Sequence, residues 1–220
     1  MKKIVVFLAL IILTGCSNSD NKSNGNTALF GYVNISLPKI NGMTECRVHP
    51  NVQRITQQYL ESGPVLAYYL NNATYKQIDK LNEISFGNYL MIYGDYQREN
   101  YRAVASDLDI LESNLQQTLF EGDNFEQISS RLDEDYGALT AGKPALIEKY
   151  SSHPNVRTMI MLVKYQNEIG ETSVISAINF ILIKNRIVNM AYYLAYDGGK
   201  SIDVLREKNN EAIKRLLEVN

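Results

Sequence analysis

The chain has no tryptophan and only two cysteines and two histidines among its 220 residues. Two cysteines allow one bridge at most, so a disulfide-stapled scaffold is excluded. Two histidines with no further ligand pattern around them fall short of the three or four protein ligands a zinc site needs. No apolar run approaches the ~20 residues that span a bilayer; the N-terminal run, Ile4 to Leu13, stops at ten. Cationic charge is also in short supply. Lysine and arginine total 22 against 24 acids, for a formal charge of −2, and no basic block stands out. Electrostatic binding to nucleic acid therefore has no support. Missing too are His-Glu-x-x-His, Cys-x-x-Cys, Gly-x-Ser-x-Gly, Gly-x-Gly-x-x-Gly and a Walker loop. No catalytic residue, cofactor site or metal site is assigned from sequence.

What the chain does have is concentrated at its start. Met1 is followed by Lys2 and Lys3, the apolar run, and then Leu13-Thr14-Gly15-Cys16. A positive start, a short apolar core and small residues before a cut are the parts of a secretory signal. With the cysteine after the cut, Leu13, Thr14 and Gly15 resemble the lipobox of a bacterial lipoprotein, which implies that Cys16 is the lipidation site. Residues 1–15 are thus expected to be a removable signal peptide, and the mature charge becomes −4 once Lys2 and Lys3 leave. Two or more acyl chains (palmitate and its like) on Cys16 make anchoring stable, at ~0.8 kcal/mol per buried CH₂. Residues 16–29 follow as a tether. Their run from Ser17 to Ala28 is small and polar and cannot bury enough area to offset chain entropy. Ser17 after the cysteine favours the outer membrane over the inner, with the domain facing the periplasm.

Residues 30–220 are expected to form one α+β domain, a mostly antiparallel sheet flanked by helices with a helix at the C-terminus. Phe30 to Leu37 reads as a first strand ended by Pro38. A short helix fits Pro50 to Glu61, with Pro50 in its first turn. Strands are expected at Val65–Leu70 and Ile84–Tyr93. Val104, Leu108, Leu111, Leu115 and Leu119 recur at helical spacing and predict a helix over 99–120. A second helix is expected from Asn124, and strands at Ala145–Tyr150, Thr158–Gln166 and Thr172–Lys184. A turn at Asn185-Arg186 leads into Ile187–Tyr196. In the strand from Thr172, Val174, Ile178, Phe180 and Leu182 share one face, and Ile175, Ala177, Ile181 and Ile183 the other. Two apolar faces place this hairpin in mid-sheet, covered on both sides. The last helix spans Ser201 to about Glu218 with Ser201 as its cap. Asn209 interrupts its apolar stripe, which predicts a partly buried, hydrogen-bonded amide.

The remaining polar residues carry weak signals. His49 and His153 each precede proline, which favours an exposed bend. Asp133-Glu134-Asp135 point in different directions on a helix end and do not converge on one ion. Gly142-Lys143 lacks the glycine-rich loop of a phosphate site. Cys46 is left without an internal partner and is expected to be a small buried hydrophobe. His-Pro-Asn-Val occurs at 49–52 and 153–156, and Ala-Tyr-Tyr-Leu at 67–70 and 191–194. Their offsets differ, so no repeat period accounts for both. The tyrosines, 15 in all, are expected to be half-buried with their hydroxyls in water, and tyrosine-rich sheet faces can serve as contact surfaces for a protein partner.

The order of elements resembles the PsbP-like fold. Val33-Asn34-Ile35-Ser36-Leu37-Pro38 carry the likeness at the start of the domain. Ile181 through Asn185-Arg186 to Tyr192-Tyr193, with a terminal helix after them, carry it at the end. DcrB-like lipoproteins of bacterial envelopes share this layout behind a lipobox, although the segment 38–64 is longer here than in their compact start. The resemblance brings no catalytic motif. It implies a non-enzymatic envelope lipoprotein, held to the membrane through Cys16 and binding a partner protein. Alternative readings are an immunity-type protein that neutralises a secreted toxin, and an envelope hydrolase with scattered catalytic residues.

Overall fold

The structure is a computed structural model that describes residues 26–57, 62–80, 88–120, 140–167 and 170–220. In chain order the elements are β1 (Thr27–Phe30), β2 (Val33–Ser36), β3 (Met43–Glu45), α1 (Pro50–Thr56), β4 (Val65–Asn71), α2 (Asn72–Tyr75), a 3-10 turn (Ile78–Lys80), β5 (Tyr89–Tyr93), α3 (Ala105–Phe120), β6 (Thr140–Ala141), β7 (Ala145–Tyr150), β8 (Val156–Asn167), β9 (Gly170–Ile183), β10 (Arg186–Ala195) and α4 (Lys200–Glu218). The class is α+β, as the sequence implies. The expected helix from Asn124 lies outside the described residues.

Eight strands make the main sheet, in the order β3-β4-β5-β10-β9-β8, with β6 and β7 sharing the outer side of β8. Every pairing is antiparallel. The hairpin of β9 and β10 lies in mid-sheet, where its two apolar faces require it to be. Val174, Ile178, Phe180 and Leu182 pack into one core; Ile175, Ala177, Ile181 and Ile183 pack into the other. The first core is closed by α1 and α3 through Val52, Leu108, Leu115 and Leu119. The second is closed by α4 through Leu205, Ala212, Ile213 and Leu216, together with Ala28, Phe30 and Ile35 of the β1–β2 hairpin. Burying a leucine of this kind contributes ~1.5–3 kcal/mol, so each helix is held mainly by its stripe.

Several boundaries differ from expectation for local reasons. The stretch Phe30–Leu37 is not one strand. Gly31 and Tyr32 both take positive φ, 55° and 62°, and turn the chain into a two-residue hairpin of the kind such angles favour. The strand before that turn starts at Thr27, inside the stretch read as tether, because Ala28 and Phe30 alternate into the core. The later tight turn sits one residue earlier than expected: Lys184 and Asn185, at φ 49° and 61°, make it, and Arg186 already belongs to β10. Helix α3 starts at Ala105, where the Asp107 carboxylate accepts the Val104 N–H. Val104 therefore drops out of the apolar stripe and is exposed. Ser201 lies inside α4 rather than capping it, with its hydroxyl bonded to the Asp197 carboxylate.

Gly94 marks where the small hairpin meets the sheet. A Cβ there would come within 2.2 Å of the Phe30 ring, so only glycine lets the hairpin seat at this depth.

Candidate functional site

Leu13, Thr14, Gly15 and Cys16 lie outside the described residues, as does the acidic run 133–135. Among the described residues no helix is long and apolar enough to cross a membrane, and no group of three or more His, Cys, Asp or Glu is placed to hold a metal ion.

The two histidines lie at opposite sides of the sheet, one beside β3 and one beside β8. Five strand spacings separate those strands, ~24 Å, so they form no joint site. Their local roles are alike. His49 Nδ1 accepts the Asn51 N–H at 3.3 Å, and His153 Nδ1 accepts the Asn155 N–H at 3.2 Å. The recurrent His-Pro-Asn is thus a cap, used once before a helix and once in a turn before a strand. His49 Nε2 also meets Asp79 Oδ1 at 3.2 Å, where the carboxylate side chain is 90% exposed. This pair looks like part of a hydrolytic site but is occupied at both ends. One ring nitrogen accepts from the backbone and the other faces the carboxylate, which leaves none to take a substrate proton.

Cys46 is buried, and its thiol donates to the Tyr68 carbonyl at 3.3 Å. Burial, with the charge of Glu45 second, pushes the thiol up to about 12, far from the thiolate a reactive cysteine needs. The tyrosines correct the expectation of half-burial. Tyr68, Tyr69, Tyr89, Tyr192 and Tyr193 are all buried. Tyr68, Tyr89 and Tyr193 stack across three strands, with centroids 5.6 and 4.5 Å apart. Tyr69 donates to the Pro38 carbonyl at 2.8 Å. Burial raises the phenols of Tyr68 and Tyr193 well above their usual value. The two Ala-Tyr-Tyr-Leu segments therefore build core and offer no contact surface.

Under α4 lies a polar network that sequence reading half found. Asn209 is fully buried and forms a reciprocal amide pair with Asn179, at 2.8 and 2.9 Å. Asn179 also accepts from the Thr158 hydroxyl at 2.8 Å and donates to the Met190 carbonyl at 2.8 Å. Asn209 reaches the Tyr150 hydroxyl at 3.2 Å, which donates onward to Asn210 at 3.0 Å. Asn179 was missed; its signal was a lone amide inside the apolar run of β9.

The edge strand β7 is fastened from both faces. Glu148 meets Arg206 of α4 at 2.7 Å, and Lys149 meets Glu112 of α3 at 3.3 Å. A register shift between Leu146 and Glu148 bends this edge, a device that discourages further strand pairing.

In contrast to the buried tyrosines, the most exposed aromatic surface lies at the sheet end that carries the β1–β2 and β9–β10 turns. Tyr32 is 86% exposed at its positive φ, and Tyr101, Val104 and Leu29 are exposed with it. Arg186 ties the parts together. Its Nε donates to the Gly31 carbonyl at 3.0 Å and its Nη1 to the Tyr101 carbonyl at 3.2 Å. Asn185 accepts the Ala103 N–H at 3.0 Å, and Lys184 donates to the Asn34 carbonyl at 2.8 Å. The charge of Asp107, and its hydrogen bond from the Tyr101 hydroxyl, hold that phenol above its usual value. No protein-family model matches the chain, and no curated protein or solved structure matches it either. The functional reading consequently rests on the chain's own residues.

Proposed function

We propose that the protein is a lipid-anchored bacterial envelope lipoprotein whose folded domain acts by binding a partner protein in the periplasm. The observation that carries this reading is the lipobox Leu13-Thr14-Gly15-Cys16 behind a positive start and a ten-residue apolar run. Cys16 holds the acyl chains, and the polar residues after it give the domain its reach. The outer membrane, favoured by Ser17, is the proposed location, and the PsbP-like likeness enters on the same footing. The domain is suited to presenting a fixed surface. Its sheet is covered on both faces, and ionic and amide links fasten both helices to the strands. A rigid scaffold loses little freedom when a partner docks.

The test is cross-linking of the full chain in membranes of its bacterial host, with a Cys16→Ser chain as control. The reading expects a discrete cross-linked species with an envelope protein, lost when anchoring is lost. A chain that stays monomeric under cross-linking in its native membrane contradicts partner binding.

A further inference from the structure

We infer that the sheet end formed by Tyr32, Tyr101, Arg102, Lys184 and Arg186 docks on the surface of a bilayer that carries anionic phospholipid headgroups. The inference rests on the lipid-anchor reading and adds the orientation of the domain. Leu29, Tyr32, Tyr101 and Val104 are all exposed, and Arg186 bonds the carbonyls of Gly31, next to Tyr32, and of Tyr101. Aromatic rings with a polar tip and long cationic side chains are the residues that settle at a membrane–water interface. Tyr32 sits at a tight-turn position that asparagine or glycine fills without strain. A tyrosine held there in solvent is a costly choice for a turn alone.

The charges favour an anionic surface. Arg186 is bound only by carbonyl oxygens, Lys184 by the Asn34 carbonyl and the Asn220 amide, and Arg102 is exposed. None of the three makes an ion pair with a carboxylate among the described residues. Of the nearby acids Asp95 is paired with Arg98, whereas Asp107, bonded to the Val104 backbone and the Tyr101 hydroxyl, keeps its charge, so the three cations face two acids without an ion pair. Glu99 is the remaining acid of this end. Phosphate groups complement the three cations, and such juxtamembrane cations bind anionic leaflets in a salt-dependent way.

The tether selects a bilayer over an acidic protein as the occupant. The first described residue is Asn26 and β1 starts at Thr27. The chain from Cys16 to there can span ~35 Å at most. Each strand of the β1–β2 hairpin has four residues, so its tip lies ~13 Å from the tether root. A lipid on Cys16 thus keeps this end within reach of the headgroups at a high effective concentration.

The acylated full chain, reconstituted in vesicles of phosphatidylglycerol and phosphatidylethanolamine, in neutral phosphatidylcholine vesicles and in nonionic detergent micelles, tests this by amide hydrogen exchange. Segments 29–34, 99–104 and 184–186 are expected to exchange at least threefold more slowly in the anionic vesicles, with the protection falling at high salt. Tyr32→Asn combined with Arg102→Glu is expected to remove the protection while leaving the melting temperature unchanged, because asparagine suits the turn. Equal exchange in all three settings overturns the docking surface and leaves anchoring intact. Protection of these segments by an added envelope protein, with none from vesicles, also overturns it and assigns the surface to that protein. A chain recovered without acyl groups fails the anchor reading itself and the docking inference with it.

Discussion

The two faces of the central sheet are closed by different physics. On the side of α4 the polar atoms form a connected set, with Thr158, Asn179, Asn209, Tyr150 and Asn210 bonded in series. On the side of α1 and α3, stacked tyrosines and methionines fill the space. There the Tyr68 hydroxyl and the Asn189 side-chain oxygen are buried with no hydrogen-bond partner among the described residues. Apolar packing tolerates small shifts of a helix, whereas an amide pair is made in one register only. Inside the core, then, α4 is positioned by directional bonds and α3 by area, with the α3 ion pairs to Lys149 and Arg157 lying outside it. Because α4 also ends against the β1–β2 hairpin, with the Asn220 side chain accepting from Ser36 N and donating to Ser36 O at 2.9 Å each, its register is passed to the hairpin that carries Tyr32.

The sharpest way to break the comparison is to remove packing on the α3 side. Leu108→Ala empties a fully buried site and is expected to cost ~3–5 kcal/mol, read as a lower midpoint in urea unfolding. On the α4 side, Asn179→Ala is expected to cost ~3 kcal/mol, because Thr158 and Asn209 are left buried without their partner. Replacing both amides, as in Asn179→Leu with Asn209→Leu, is expected to recover part of that loss, since neither amide is then left without the other, although the Thr158 hydroxyl loses its acceptor. If the double variant proves as unstable as the sum of the singles, the network acts through packing and the contrast fails.

Alkaline pH acts on both faces, through Cys46 and Tyr93 on the side of α1 and α3 and through Tyr192 on the side of α4. Cys46 rises from 9.0 to about 12, and Tyr93 and Tyr192 from 10.0 to about 12, in each case first through burial. A group raised in the folded state gives stability that is complete below its unfolded value and lost as pH climbs through its folded value. Melting temperature is therefore expected to hold up to about pH 9 and fall steadily towards pH 12. Cys46→Ala is expected to delay the onset of that fall. Smallest of all, Tyr150→Phe is expected to cost ~1 kcal/mol by breaking two bonds, while Tyr68→Phe is expected to be neutral or slightly stabilising because it deletes an unpaired hydroxyl. Equal losses in that pair would remove the distinction between the bonded Tyr150 hydroxyl and the unpaired Tyr68 hydroxyl.

The pattern of these faces was largely readable from sequence, because both depend on periodicity. Alternation in β9 separated the two cores residue by residue, and Asn209 announced itself by breaking a helical stripe. What escaped depended on long-range context. Asn179 gains its meaning only when Asn209, thirty positions away, lies over it. The β1–β2 turn was hidden because tyrosine seldom takes positive φ, so Gly31 was the only signal. Tyrosine hydroxyls were placed in water by their usual habit, and only the pairing of β4, β5 and β10 shows that Tyr68, Tyr89 and Tyr193 stack beneath a helical layer. Of the candidate site, the proposed lipobox is contiguous and so could be read directly from the sequence. The exposed end was not, since Tyr32, Tyr101 and Arg186 meet only through the fold.

The most direct check on the account is the intact mass of the protein isolated from bacterial membranes. The expected species is a mature chain that begins at Cys16 and carries the added mass of its acyl groups, with Cys16→Ser left unprocessed. A membrane-extracted chain that retains Met1, or begins elsewhere with an unmodified Cys16 thiol, would contradict it.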